Sequence, residues 1–206
     1  LNLGLARLIP RVIVAGVGWD VDTAKAVLSR RGEAYTPTNA AFPDRVAPGG
    51  APSGGAPTHL AFVRDEALAF LDERYRTRAG DRTHVGHSLS GLFGLFTLFT
   101  EPRLFSRYVL ASPSIWWDDK AILGFEERYA AQHDDLAARV FASVGADEEQ
   151  PGFYPMIQNL RIAERALRSR SYPSLDLTVT ELAGEIHFST IPAAISRGLR
   201  TVFRPE

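Results

Sequence analysis

Short runs of apolar, often β-branched residues alternate along this chain with longer segments of helical period. The runs that indicate buried strands lie at 11–18, 82–85, 107–111, 139–145 and 175–180. Segments with helical spacing of apolar residues lie at 58–71 (with Thr58 as N-cap), 89–100, 118–131, 155–170 and 190–203. Such alternation is typical of a mostly parallel sheet with helices on both faces, so the pattern predicts an α/β fold.

Length and composition fit a single domain of this kind. The chain has 206 residues, of which 45% are apolar and 23% are charged, as in ordinary globular proteins. We therefore expect one domain over 1–206. The stretch 43–57 is dense in Pro, Gly, Ala and Ser, and this composition predicts a surface loop.

Charge, hydropathy and cysteine content exclude several function classes. The net charge of −1 argues against a nucleic-acid binder with a broad basic surface. No apolar run approaches the ~20 residues that span a bilayer, so no membrane partner is expected. The chain has no Cys, which rules out disulfides, thiolate zinc sites and cysteine catalysis.

The start of the chain bears on its processing and compartment. Residue 1 is Leu and the only methionine is Met156, so we expect a processed chain or a fragment of a longer one. No signal peptide is visible. The compartment stays open between the periplasm and the cytoplasm, with the cytoplasm slightly favoured. The sequence gives no indication of oligomeric state.

Three polar groups come directly after predicted strands, where open parallel sheets place their functional sites. Ser88 follows the second predicted strand, the acidic residues at 147–149 follow the fourth, and His187 follows the fifth. The order is serine, acid, histidine, which is the order of catalytic residues in α/β-hydrolases. The pattern therefore predicts an α/β-hydrolase fold with Ser88 as nucleophile and His187 as general base.

The residues around Ser88 fit a nucleophile elbow, G-x-S-x-G, between a strand and a helix. The positions two before and two after the nucleophile crowd together in this turn and must be small. Gly86 meets the first requirement, whereas Ser90 stands where Gly is usual and Gly91 follows it. The backbone N–H of Leu89, at the start of the following helix, is the predicted oxyanion donor.

The residues alone leave the acid open among Asp147, Glu148 and Glu149, at least one of which is expected to be a solvated loop charge. We expect packing or loop roles for His84 and His87, solvent exposure for His59 and His133, and a plain loop charge for Glu185. A metal site is not expected, because the carboxylates are not matched with histidines at ligand spacing.

With these residues placed, the chain resembles the esterase D-like branch of the α/β-hydrolases, and most closely the ferric-siderophore esterases that open enterobactin-type trilactones. The resemblance extends over nearly the whole chain. Its most specific pieces are YRTRAGDRTHVGHSLSGLFGLFTLF at 75–99, RYVLASPSIWWDD at 107–119, SVGADEEQ at 143–150 and GEIHFSTIPAAISRGLRTVF at 184–203.

The resemblance implies roles for particular residues. Glu148 falls on the family's acid position, with Asp147 as the alternative, although some family members manage with a Ser–His pair. Trp116 and Trp117 are implied to form an aromatic wall that binds substrate by stacking on catechol rings, unless one of them fills the core. The family also has strands before 11–18, one of them next to the strand that leads to Ser88. We therefore expect the chain to be the C-terminal part of a longer domain, without the loop that supplies the second oxyanion N–H.

Together these observations predict a serine carboxylic-ester hydrolase that works through an acyl-enzyme and needs no cofactor. The expected partner is a small-molecule ester, with a siderophore-type hydroxy-acid or catecholate ester as the leading case. Two alternatives stay open: a general short-chain acyl esterase, and a non-catalytic binding domain of the same fold.

Overall fold

The computed structural model describes residues 8–43, 47, 49–149 and 154–205. The chain divides into two compact units. We call Val12–Ala79 the N-terminal unit, and Gly80–Glu206 with Leu1–Arg11 the sheet unit. The sheet and the candidate site both belong to the sheet unit, and each unit is described by itself below.

The N-terminal unit is helical. Helix α1 spans Ala24–Tyr35, a segment for which the sequence pattern predicts neither helix nor strand, and Thr23 caps it by accepting a hydrogen bond from the Ala26 N–H at 3.1 Å. Helix α2 (Ala56–Phe62) continues through one π-helical turn (Val63–Ala67) into α3 (Leu68–Arg74).

The prediction that Thr58 caps the second helical segment is wrong. That helix begins at Ala56, because Pro57 fits the first helical turn, where no N–H is needed. Of the predicted loop at 43–57, residues 44–46 and 48 lie outside the described residues, and the others before Ala56 form no helix or strand.

The predicted strand at 11–18 is also wrong. These residues form neither helix nor strand, and the side chain of Val14 is 88% exposed. A strand needs a neighbour to bond its backbone N–H and C=O groups. Within the described residues, every pairing in the sheet is between strands of the sheet unit, so an apolar run alone does not make 11–18 a strand.

The sheet unit contains a four-stranded parallel sheet in the order β1-β2-β3-β4. The strands are β1 (Thr83–His87), β2 (Arg107–Ala111), β3 (Ala138–Gly145) and β4 (Leu175–Leu182). Because all run the same way, their carboxyl ends lie at one edge. The register aligns His87 with Ala111 and Ala111 with Ser143, so the first residues after β1 and β2 lie beside the last two residues of β3, Val144 and Gly145.

Helices cover both faces of this sheet. They are α4 (Leu89–Thr100), α5 (Ala121–Ala130, preceded by a 3₁₀ turn at Trp117–Lys120), α6 (Met156–Ser169) and α7 (Thr190–Val202). Helix α4 is buried almost all around and lies against β1 and β2, with α5 beside it. Helix α7 covers the opposite face, where Val202 packs with Val109 and Phe141.

The predicted α/β fold is confirmed for the part of the chain that carries the sheet. The other four predicted strands form, with ends shifted by no more than a few residues, and so do the predicted helices from Leu89 onward. Within the described residues, no helix is long and apolar enough to cross a membrane.

Candidate active site

The carboxyl ends of β1, β3 and β4 bring Ser88, Glu148 and His187 together. The Nε2 atom of His187 lies 3.0 Å from the Ser88 Oγ, and its Nδ1 lies 2.8 Å from an oxygen of Glu148. These residues are far apart in sequence, and the parallel sheet places them in one hydrogen-bonded chain. The arrangement is that of a nucleophile, a base and an orienting acid.

Ser88 lies on a strained turn between β1 and α4. Its φ of 61° and ψ of −120° are unfavourable for a residue with a side chain. Three backbone hydrogen bonds hold it there: its N–H donates to the Ala111 carbonyl at 2.9 Å, and its own carbonyl accepts from the N–H of Leu92 at 3.0 Å and from that of Ser114 at 3.1 Å. The turn presents the hydroxyl at the edge of the sheet, as an elbow requires.

Position 86 must be glycine because the backbone of Ser90 passes very close to it in this turn. A Cβ atom at position 86 would lie 2.4 Å from the carbonyl oxygen of Ser90, which is a backbone atom and cannot move aside freely. Ser90 itself fits in the turn where Gly is usual, and its carbonyl oxygen lies 3.0 Å from Nε2 of His84.

Glu148 lies in a closed polar pocket, and its side chain is 0% exposed. One carboxylate oxygen accepts hydrogen bonds from the Gly145 N–H at 2.7 Å and from the Ser112 hydroxyl at 2.5 Å, while the other faces His187. Burial alone would raise the pKa of Glu148, but the hydrogen bonds from His187, Ser112 and Gly145 outweigh it and lower that pKa. The carboxylate form is therefore favoured beside the imidazole.

Of the three acidic candidates, only Glu148 contacts His187. Asp147 and Glu149 are exposed, and Glu149 instead accepts a hydrogen bond from the Gln158 N–H at 3.0 Å. The structure thus places at the imidazole the residue that the family resemblance implied.

Contacts of Glu185 fix the loop that contains His187. A Cβ on Gly145 would lie 2.2 Å from the carbonyl oxygen of Glu185, so only glycine lets this loop approach β3 so closely. The same carbonyl accepts a hydrogen bond from the Asp147 N–H at 3.1 Å, and the Glu185 carboxylate accepts one from Ser189 at 2.5 Å. Glu185 is therefore a loop-fixing residue rather than a plain loop charge.

His87 holds the backbone of the same loop. Its Nε2 lies 2.7 Å from the carbonyl oxygen of His187, and the two rings are 4.6 Å apart. Of the other histidines, His59 was expected to be solvated, but burial among Trp19, Tyr35 and Phe62 lowers its pKa. Among the described residues, no cluster of three or more histidines and carboxylates is placed to hold a metal ion.

Leu89 is the first residue of α4, directly after Ser88. The first amides of a helix have no partner within the helix and carry the positive end of its dipole. The Leu89 N–H is therefore well placed for an anion that forms at Ser88. Its side chain, in contrast, is buried in the core.

The two tryptophans have different environments. Trp117 is 1% exposed and belongs to the core, so the expectation that it forms part of a substrate wall is corrected: a ring enclosed by side chains has no face for a ligand. Trp116 is partly exposed and stacks flat on Tyr154, with ring centroids 3.7 Å apart. Trp116 is thus the one of the pair that can contact a substrate.

Two site residues, Ser112 and Ser114, were not singled out from the sequence. Both come just after β2 and both are buried. Ser112 donates to Glu148, and the Ser114 hydroxyl lies 3.2 Å from that of Ser88. The signal that could have found them is their position just after the predicted strand at 107–111. A position after a strand is the same signal that pointed to Ser88, Glu148 and His187.

Comparisons with known proteins identify the family of this chain. The model of the Esterase family, described as "Putative esterase", matches residues 19–175. The ferri-bacillibactin esterase BesA of Bacillus subtilis (strain 168) is 31% identical over 206 residues, which cover 97% of this chain and 69% of that protein. The siderophore enterobactin esterase of Emericella nidulans is 30% identical over 217 residues, which cover 91% of this chain and 70% of that protein.

A solved structure shows the same fold. The crystal structure of the BES protein from Bacillus cereus matches with a TM-score of 0.81 and 28% identity, over 98% of this chain and 74% of the other. The family model covers well over half of the chain, and the relatives are those that the sequence resemblance predicted. The chain therefore belongs to the Esterase family and is an esterase with the α/β-hydrolase fold.

Proposed function

We propose that this esterase uses Ser88 as nucleophile, His187 as general base and Glu148 as the orienting acid, and that its substrate is a siderophore-type ester. The observation that carries the proposal is the continuous hydrogen-bonded chain from the Ser88 Oγ through His187 to Glu148. Esters of hydroxy acids or catecholates are the substrate class.

The ionised carboxylate of Glu148 determines which ring nitrogen of His187 carries the proton. An ionised carboxylate can only accept hydrogen bonds, so the Nδ1 of His187 carries the proton and Nε2 is left as an acceptor. Nε2 therefore accepts the hydrogen of the Ser88 hydroxyl at 3.0 Å. This is the tautomer that a general base needs.

Acylation and deacylation then use the same groups. In acylation, the Ser88 proton moves to Nε2 of His187 while Oγ attacks the ester carbonyl carbon. The tetrahedral intermediate collapses, and the alcohol leaves with the proton from His187. Water then gives a proton to His187 and attacks the acyl carbon, and the Ser88 Oγ leaves and takes that proton back. The Leu89 N–H donates to the carbonyl oxygen while it carries negative charge.

Two lines of support favour a siderophore ester. The relatives that cover most of this chain are named as a ferri-bacillibactin esterase and as a siderophore enterobactin esterase. Trp116 lies after the β2 end of the site and offers a partly exposed aromatic surface, backed by Tyr154. Flat aromatic surfaces of this kind stack on aromatic groups such as catechol rings.

Labelling with a fluorophosphonate, read by intact mass, tests the nucleophile and the assembly of the site. We expect a single adduct on the wild type and none on Ser88→Ala. Ser169→Ala is the matched control, because Ser169 is an exposed hydroxyl at the end of α6, away from the triad. No adduct on the wild type, or an adduct that survives in Ser88→Ala, would overturn the assignment.

Substrate preference separates the proposed substrate from the alternatives. Hydrolysis of a catecholate trilactone with a kcat/KM well above that for p-nitrophenyl acetate supports the siderophore class, and Trp116→Ala should lower the former more than the latter. Equal rates on both esters would favour a general acyl esterase. Binding of the trilactone without hydrolysis would favour a non-catalytic domain.

A further inference from the structure

Ser114 is joined to Ser88 by two contacts. The backbone N–H of Ser114 donates to the carbonyl oxygen of Ser88 at 3.1 Å, and the two hydroxyl oxygens are 3.2 Å apart. Ser114 is 1% exposed, so its hydroxyl is removed from bulk solvent. A buried hydroxyl needs a partner, and within the described residues the only one for the Ser114 Oγ is the Ser88 Oγ.

The direction of this hydrogen bond is set by the triad. A serine hydroxyl has one hydrogen, and that of Ser88 points to Nε2 of His187. It is therefore not available for Ser114. Ser114 must be the donor and the Ser88 Oγ the acceptor, so the Ser88 O–H donates to the imidazole while its oxygen accepts from the second hydroxyl.

Backbone hydrogen bonds fix the segment from Ser112 to Ser114, which follows β2. The N–H of Ser112 donates to the carbonyl of Ser143 at 2.7 Å, and the carbonyl of Ser114 accepts from the Trp117 N–H at 3.1 Å. Ser112 has a φ of 43°, which is unfavourable for a residue with a side chain, and Pro113 follows it. Strain of this kind persists only where the surroundings impose it, often at functional sites.

We propose that Ser114 is a further catalytic residue, whose hydroxyl donates a hydrogen bond to the Ser88 Oγ and stabilises the negative charge that this oxygen carries on its way into and out of the acyl-enzyme. The proposal rests on the proposed function of Ser88. The proton of Ser114 stays on Ser114 throughout, and the protons that move are those of Ser88, water and the leaving alcohol, through His187.

The two half-reactions use this donor in the same way. In acylation the Oγ becomes negative as its proton moves to His187, before the bond to the acyl carbon is complete. In deacylation the Oγ is the leaving group and becomes negative again as that bond breaks. A hydrogen bond to a charged oxygen is about twice as strong as one to a neutral oxygen. At 3.2 Å, the distance between the two hydroxyl oxygens is long for a hydrogen bond between hydroxyls. In an enzyme without substrate such bonds are often long, and they shorten as charge develops on the acceptor.

Ser114→Ala removes the hydroxyl and adds no other group, and Ser114→Cys keeps the shape of the side chain with a somewhat larger atom that is a weaker donor. The measurements are the second-order rate of fluorophosphonate labelling and the single-turnover rates of acylation and deacylation of an activated ester. We expect Ser114→Ala to slow all three about tenfold, with KM within about twofold of the wild type and Ser114→Cys between the two. Ser169→Ala should match the wild type in every measurement.

Two readouts separate catalysis from a purely structural role. The labelling end point should still reach one adduct per chain in Ser114→Ala, because only the rate is expected to fall. In a plot of kcat/KM against pH, the decline on the acidic side should occur at the same pH as in the wild type, because Ser114 contacts Ser88 and not His187. A labelling rate within twofold of the wild type overturns the role of Ser114 and leaves that of Ser88 intact. A wild type that takes no label overturns both.

Discussion

Replacing Glu148 with Gln keeps the size of the side chain but removes its charge and one acceptor oxygen. In the wild type, one oxygen accepts from the Gly145 N–H and the Ser112 hydroxyl, and the other faces Nδ1 of His187. The amide has a single oxygen. If this oxygen stays with Gly145 and Ser112, the NH2 group faces Nδ1 of His187 and favours the tautomer with the proton on Nε2. That tautomer has no acceptor for the Ser88 proton.

The loss of activity can be worked out in two parts. Turning the amide oxygen toward His187 leaves the buried Gly145 N–H without an acceptor, which costs about 2 kcal/mol. That cost leaves about 3% of the protein in the productive tautomer, a loss of about 30-fold. The imidazolium formed in catalysis also loses a charge-assisted hydrogen bond worth about 2 kcal/mol, another factor of about 30. We therefore expect Glu148→Gln to lower kcat/KM by about 10³.

The assay is kcat/KM on a chromogenic ester at neutral pH, with thermal unfolding to show that each variant is folded. Asp147→Asn is the matched control, because it removes a neighbouring carboxylate that is exposed and not in contact with His187. It should stay within about threefold of the wild type, as surface substitutions usually do. A Glu148→Gln enzyme with more than a tenth of wild-type activity would refute the tautomer argument. A large loss in Asp147→Asn would transfer the acid role to that residue.

Three other changes test the packing and electrostatics around the site. Gly86→Ala should abolish rapid fluorophosphonate labelling and lower the free energy of unfolding by about 1–3 kcal/mol, because its Cβ would meet the Ser90 carbonyl at 2.4 Å; an equally stable variant that labels normally would contradict this. Tyr108→Phe should raise the free energy of unfolding by about 1 kcal/mol in urea titrations, since within the described residues the buried hydroxyl of Tyr108 has no hydrogen-bond partner; a less stable variant would contradict this. The pKa of Glu148 is lower in the folded chain than the unfolded value of about 4.3, so its ionised form stabilises the fold above that pH and this contribution is lost as the pH falls through the folded-state pKa. Melting temperatures between about pH 6 and pH 3 should therefore fall less for Glu148→Gln than for the wild type, and equal falls would count against the lowered pKa.

Most of the sheet unit could be predicted from the sequence because its local and long-range signals agree. The apolar run at β2 is continuous, as expected for a parallel strand buried on both faces, and its structural bounds match the predicted ones. The apolar stretch after Ser88 likewise forms a helix with the predicted ends, Leu89 and Thr100. Where an apolar segment is buried against neighbouring elements, its hydrophobic pattern is sufficient to predict its secondary structure and its ends.

The errors in the N-terminal unit have different physical causes. Residues 11–18 have the composition of a buried strand, but composition does not supply a neighbouring strand, and none pairs with them in the described part of the chain. Helix α1 was missed because it has few large apolar side chains (Val27, Leu28 and Tyr35) and Gly32 interrupts it. The signal that was available is Thr23, whose side chain caps the first turn.

In the candidate site, a sequence pattern can identify positions, but only the structure shows which side chains are in contact. A nucleophile, an acid and a base can be found at strand ends, because a parallel sheet brings those ends to one edge. Ser112 and Ser114 also follow a strand, but their partners depend on the register, which the sequence pattern does not contain: the register sets the ends of β1 and β2 beside the last residues of β3, so that one hydroxyl contacts Glu148 and another contacts Ser88. In a parallel sheet, the strand beside the elbow can therefore place hydroxyl groups against the nucleophile and the acid as directly as the other strands place the acid against the imidazole.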